Sequence, residues 1–245
     1  MTKSKVIDSL IIILFYIGLS CLPFSWFKFS EEVILVFQII AQFVIFFLIK
    51  LVLKKSPLKL KERTPKYKNV AWFLPVFLIC FSNIFNLLNP ENVLLFKHSI
   101  IYYVLIVALS FCVAFNEEFI FRVIIIDNLD ESEQTIVKVI ISASIFAACH
   151  LTHFFSTFDP AQLFRVLYTF GVGIILGLMY IYVQSFGFCV SLHFLFNAIN
   201  GNLGDCIEYG NFNYVYFLIN ITVAIVVGGY LVGIYFLKLK YEPIE

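Results

Sequence analysis

Six polar side chains lie where hydrocarbon is the norm. Glu117, Glu118 and Arg122 interrupt the apolar run Ile100–Ile126, His150 sits near the end of another, and His193 and Asn197 share a third. A charge at bilayer depth costs about 2.5–3.5 kcal/mol on insertion scales and more by simulation, so an intramembrane ionisable cluster is read first as a functional site with its partners nearby. Glu118 and Arg122 are four residues apart, stack on one helix face and can neutralise each other. Glu117 is turned about 100° away and is left for chemistry. Ala147 and Ala148 leave room beside His150 for a neighbouring helix or a water. His193 and Asn197, also four apart, can donate hydrogen bonds toward one point. Peptide hydrolysis needs a water made basic and donors aimed at the developing oxyanion, each donor worth ~10²–10³ in rate. Histidine can hold or pass the proton.

The elements that carry these groups are membrane spans. Hydrophobic residues make up 61% of the chain and charged residues 13%, against about 25% charged in a soluble domain. A span needs ~20 apolar residues, and eight runs qualify or come close: Val6–Leu22, Val33–Leu53, Val70–Leu88, Ser99–Ile126, Ile136–Phe155, Val166–Gln184, Phe188–Gly201 and Tyr214–Leu237. The expected fold is all-α, a polytopic bundle of about eight transmembrane helices. It forms one integral membrane domain over residues 1–245, with the motif-bearing core at about 98–201. The first run lacks a small-x-small cleavage site and continues into Pro23, Phe24 and Trp26, so it is read as a retained helix rather than a signal peptide.

Basic residues set the orientation. Lys3 and Lys5 precede the first run, the 54–68 loop holds seven Lys or Arg against Glu62, and Lys238 and Lys240 follow the last. With eight spans these three segments fall on one side. Both termini and the basic loop are therefore expected in the cytoplasm, with the protein in the cell membrane. The loop is a topology anchor against anionic headgroups rather than a nucleic-acid site.

Other features have plain explanations. Gly173 and Gly177 form a G-x-x-x-G that suits close helix packing within the bundle better than a dimer face. Pro75 should kink the third span. The six cysteines show no metal or redox spacing, and Cys149 and His150, adjacent on a helix, cannot easily face each other. His153 reads as a supporting or interface residue, Asn116 and Asn200 as supporting donors, and His98 as interfacial.

The motifs Glu117-Glu118-x-x-x-Arg122, Phe146-x-x-x-His150 and His193-x-x-x-Asn197 resemble, in order and spacing, those of the CAAX-protease and bacteriocin-processing (CPBP, or Abi) family of intramembrane proteins. The resemblance covers residues 117–197, and the first hundred residues carry no such signature. It implies an eight-helix core and a glutamic endopeptidase acting on a membrane protein or peptide in the bilayer. Residue by residue, it implies that Glu117 activates water and His150 assists. His193 and Asn197 would stabilise the oxyanion, and Glu118 with Arg122 would support the site. No cofactor is implied. Zinc held by Glu117, His150 and His193 is the alternative within the enzyme class, disfavoured by the missing H-E-x-x-H and by the nearby arginine.

Outside that class, a membrane protein could bind a bacteriocin or pheromone precursor without cutting it, in immunity or sensing. A transporter with the cluster as proton relay is less supported, since no internal repeat is visible. Two substrate classes compete for an endopeptidase: a prenylated protein tail, and a small secreted or membrane-bound peptide. The Phe-, Ile-, Asn- and Lys-rich composition suggests an AT-rich bacterial gene, and since bacteria generally lack protein prenylation a peptide or membrane-protein substrate is favoured. Glu117 lies ~15 Å from the 127–134 loop at 1.5 Å per residue, so water is expected to enter a shared cavity from the cytoplasmic face.

Overall fold

A computed structural model describes residues 3–22, 28–58, 60–81, 84–88, 90–130, 134–152, 161–203 and 206–208, with 226, 229–231 and 233–235. Helix α1 is Lys3–Ser20 and α2 is Glu31–Leu53. Ser30 caps α2 by accepting from the Val33 N–H, and Glu31 and Glu32 occupy its first turn, where the helix dipole favours acids. The predicted third span is broken. A 3₁₀ stretch, Tyr67–Val76, contains Pro75 and leads into a single α-turn, α3, at Phe77–Cys80. Proline removes one N–H and clashes with the preceding turn, and the tighter 3₁₀ path accommodates it.

Helix α4, Ile100–Glu118, starts on the Ser99 cap and widens into a π-helix over Phe119–Ile126, immediately beyond the two glutamates. Such widenings frequently mark functional sites. The continuous rod of 27 residues is about 40 Å long. Helix α5 is Thr135–Cys149, α6 is Ala161–Val183, and α7 is Phe186–Leu195, continued as a π-helix over Phe196–Leu203. Gln184 closes α6 with φ 55° and donates its N–H to Tyr180 O. Ser185 then caps α7 through Phe188 N, so two residues reverse the chain.

Among the described residues, three helices are long and apolar enough to cross a membrane: Glu31–Leu53, Ile100–Ile126 and Val166–Val183. Lys3, Lys5 and Asp8 keep α1 below that standard, and α5 is short. The predicted eighth span falls almost wholly outside the described residues, as does His153. A two-residue antiparallel pair, Val93–Leu94 with Ile207–Glu208, is the one departure from all-helical structure that the described residues show.

Helices α5 and α6 are in close contact. A Cβ on Gly173 would lie 3.1 Å from Ala143 Cα and from Phe146 Cδ1, and one on Gly177 would lie 3.0 Å from Val139. The glycine pair therefore seats α6 on α5 within the bundle. Two apolar clusters fill the interior. One joins α1, α2, the first π-helix and α5 through Ile12, Ile45, Ile49, Phe121, Ile124 and Phe146. The other joins α6, α7 and the 3₁₀ segment through Phe73, Met179, Tyr180 and Cys189.

Candidate active site

The two glutamates have different partners, as their spacing requires. Glu118 and Arg122 are both 0% exposed. Arg122 Nε donates to Glu118 Oε2 at 2.9 Å, and a second guanidinium nitrogen lies 3.5 Å from Oε1. The third donates to Ser142 Oγ at 2.9 Å, and that hydroxyl donates onward to Phe121 O at 2.6 Å. A buried charge pair is tolerable only when its remaining donors are satisfied, and Ser142 of α5 serves that need. The Arg122 guanidinium also lies over the Phe146 ring, 5.5 Å from its centroid.

His193 bridges both acids. Its Nδ1 is 2.9 Å from Glu118 Oε1, and its Nε2 is 3.4 Å from Glu117 Oε2. Ionised carboxylates only accept, so a ring protonated on both nitrogens satisfies both contacts. Glu117, Glu118, Arg122 and His193 then sum to zero charge. The other oxygen of Glu117 accepts a hydrogen bond from the Tyr16 hydroxyl of α1.

His150 ends α5, and its Nδ1 is 3.0 Å from Phe146 O. A carbonyl only accepts, so Nδ1 carries a proton. Phe146 forms the partition of the site. Its ring meets Phe121, His150 and His193 edge-on, at centroid distances of 4.9, 4.9 and 5.9 Å.

A cavity of about 670 Å³ is lined by Glu117, His150, His193 and Asn197 together, and also by Tyr16 and Phe146. Glu118 and Arg122 stand behind it. Several groups outside the three motifs line the same space. Tyr16 is one, and Gln42 is another: Gln42 accepts from Asn116 Nδ2 at 2.8 Å and donates to Ser20 Oγ at 3.4 Å. Asn116 thus acts by holding Gln42, whereas Asn200 lines the cavity itself. His98 belongs elsewhere. It pairs with Glu31 at 2.8 Å and stacks on Tyr102, joining the ends of α2 and α4.

The cavity runs away from the side expected to admit water. Its walls come from the end of α1 (Leu19, Ser20), the first half of α2 (Gln38, Gln42) and the α4 turns before Glu117 (Ser110, Val113). The first half of α6 (Tyr168, Thr169) and the end of α7's π-extension (Asn200, Asn202) complete them. Each of these lies in the half of its element remote from the basic 54–68 loop. On the loop side the interior is filled, with Ile120, Phe121 and Ile124 all 0% exposed. The structure differs from the expectation that water enters from the side of the loops: packed isoleucines and phenylalanine occupy that route.

Among the described residues, no three His, Cys, Asp or Glu side chains are grouped to hold a metal ion, and the described cysteines are all free thiols.

The site is a carboxylate–histidine cavity enclosed by apolar helices, three of them, among the described residues, long enough to cross a membrane. Residues 99–199 match the family model described as Rce1-like, type II CAAX prenyl endopeptidase Rce1-like. That segment carries all three motifs, and over it the chain is similar to the CAAX-protease-type membrane endopeptidases. No curated protein and no solved structure matches it.

Proposed function

We propose that the chain is an intramembrane glutamic endopeptidase that hydrolyses a peptide bond of a membrane-associated protein or secreted peptide precursor without a metal. The observation that carries this reading is the single cavity on which Glu117, His150, His193 and Asn197 all border. In this mechanism Glu117 takes a proton from a cavity water as the water oxygen bonds to the peptide carbonyl carbon. The oxyanion so formed accepts hydrogen bonds from the Asn197 amide and from His193 Nε2–H, which turns from Glu117 once that carboxylate has taken the water's proton. The C–N bond then breaks, and the proton passes to the leaving amine through Glu117 or His150. Tyr16 holds one Glu117 oxygen and leaves the other facing His193, which fixes the direction in which the carboxylate receives the proton.

Glu118 supports the site through His193 rather than through substrate. Its hydrogen bond to Nδ1 directs the opposite nitrogen at Glu117. Arg122 keeps Glu118 charged without water, and Ser142 completes the arginine's donors.

The test compares wild type with Glu117→Gln at equal membrane abundance, reading new peptide termini among membrane and secreted peptides. Termini present in wild type and lost in the variant establish proteolysis and name the substrate. Identical termini, with the cellular phenotype kept, would replace hydrolysis with peptide binding in immunity or sensing.

A further inference from the structure

The half of the bundle nearest the basic loop is closed by three independent stitches. Arg63 pairs with the buried Asp127 at the end of the first π-helix, and its guanidinium lies 4.5 Å from the Tyr180 ring centroid. Tyr180 donates to the other Asp127 oxygen at 2.7 Å. Lys66 N–H donates to Val183 O at 2.7 Å, and Asn69 Nδ2 to Tyr182 O at 2.8 Å. Ser56 donates to Asp8 Oδ2 at 2.6 Å. The loop is thus tied to α1, to the π-helix and to α6. Beneath it, Ile12, Ile45, Ile49, Ile120 and Ile124 are buried.

The opposite half holds the 670 Å³ cavity, whose walls carry amides and hydroxyls (Ser20, Gln38, Gln42, Ser110, Asn200 and Asn202) among apolar Leu19, Leu109, Val113 and Val172. Side-chain amides offer both donors and acceptors, which suits the alternating N–H and C=O groups of an extended peptide.

We propose that the site takes its substrate from the extracytoplasmic face, as an extended unmodified peptide segment that has already been exported, rather than a cytoplasmic prenylated tail. The inference rests on the endopeptidase reading for what happens to the peptide. The side of entry rests on two other observations, the loop's seven basic residues, which retain it in the cytoplasm, and the cavity's position remote from that loop.

Entry is tested without catalysis. In a background with Cys21, Cys112 and Cys206 replaced by serine, Gln38→Cys places a thiol on the cavity wall and Lys61→Cys places one on the basic loop. A membrane-impermeant maleimide applied to intact bacterial cells should label Gln38→Cys and spare Lys61→Cys, and inverted vesicles should reverse the pattern. Labelling of Gln38→Cys only in inverted vesicles, or not even in detergent, overturns the assigned face. The substrate class is tested by where Glu117-dependent termini map. Exported segments support it, and cytoplasmic carboxyl-terminal tails overturn it. A chain labelled from outside that yields no Glu117-dependent termini overturns the peptidase reading and the substrate class with it, and leaves the entry face established.

Discussion

Arg122 is the group whose removal the structure makes most consequential for folding. It is 0% exposed, as is Glu118, and its donors are spent on Glu118 and Ser142. Arg122→Met leaves a buried carboxylate whose one remaining charged partner is His193. Removing one member of a buried pair costs about 3–5 kcal/mol, whereas hydrogen bonds between membrane helices average about 0.6 and reach about 1.7 kcal/mol. The enclosure of both groups puts this pair in the first regime. At 1.4 kcal/mol per factor of ten, the folded-to-unfolded ratio falls by about two to three powers of ten or slightly more. Glu118→Gln in the same chain removes the stranded charge and keeps an acceptor for His193 Nδ1, so the double variant should recover about 2–3 kcal/mol of the loss. The assay is reversible unfolding of the purified protein in mixed micelles, run as a double-mutant cycle. Single variants that each cost about 0.6 kcal/mol and add without coupling would refute the assignment of this pair as an enclosed support.

Further outcomes follow from individual contacts. Tyr16→Phe removes a hydrogen bond to a charged oxygen worth about 1.5–3 kcal/mol. It should lower kcat/KM by roughly 10–100-fold with abundance preserved, measured with a cleaved peptide. Gly173→Ala forces a methyl to 3.1 Å from Ala143 and Phe146. It should cost about 1–3 kcal/mol in the same unfolding assay. Activity should persist in metal chelators, and loss restored by zinc would install the alternative in which Glu117, His150 and His193 hold a metal.

Much of this was legible in the chain because intramembrane polarity is conspicuous. The runs behind α2, α4 and α6 needed only length and hydropathy, and Ser99 marks the start of α4 as a cap should. Glu118 and Arg122 paired at the spacing that helix geometry dictates. Tyr16 was not legible. A tyrosine in an apolar helix looks the same whether it packs, anchors at an interface or, as here, bonds to a carboxylate 101 residues away. The break around Pro75 was foreseen as a kink, but the 3₁₀ geometry depends on what packs against it. Nor could periodicity show that His193 faces both acids, since that follows from how α7 docks on α4. The direction of the cavity was misjudged because distance to a loop says nothing about which side is packed solid. That side is closed by Arg63, in a loop that composition alone reads as an anchor, pairing with Asp127 64 residues away.

The central claim is that Glu117 activates water for peptide hydrolysis. The most direct measurement uses purified protein in liposomes, with a mixture of unmodified peptides, followed by mass spectrometry. Wild type should generate new termini with one oxygen from labelled water in each new carboxylate. Glu117→Gln, which preserves size and the contact with Tyr16, should reduce that rate by at least the ~10²–10⁴ of a lost general base, with unfolding unchanged. Equal cleavage by the variant, or none by wild type on either face, would contradict the account.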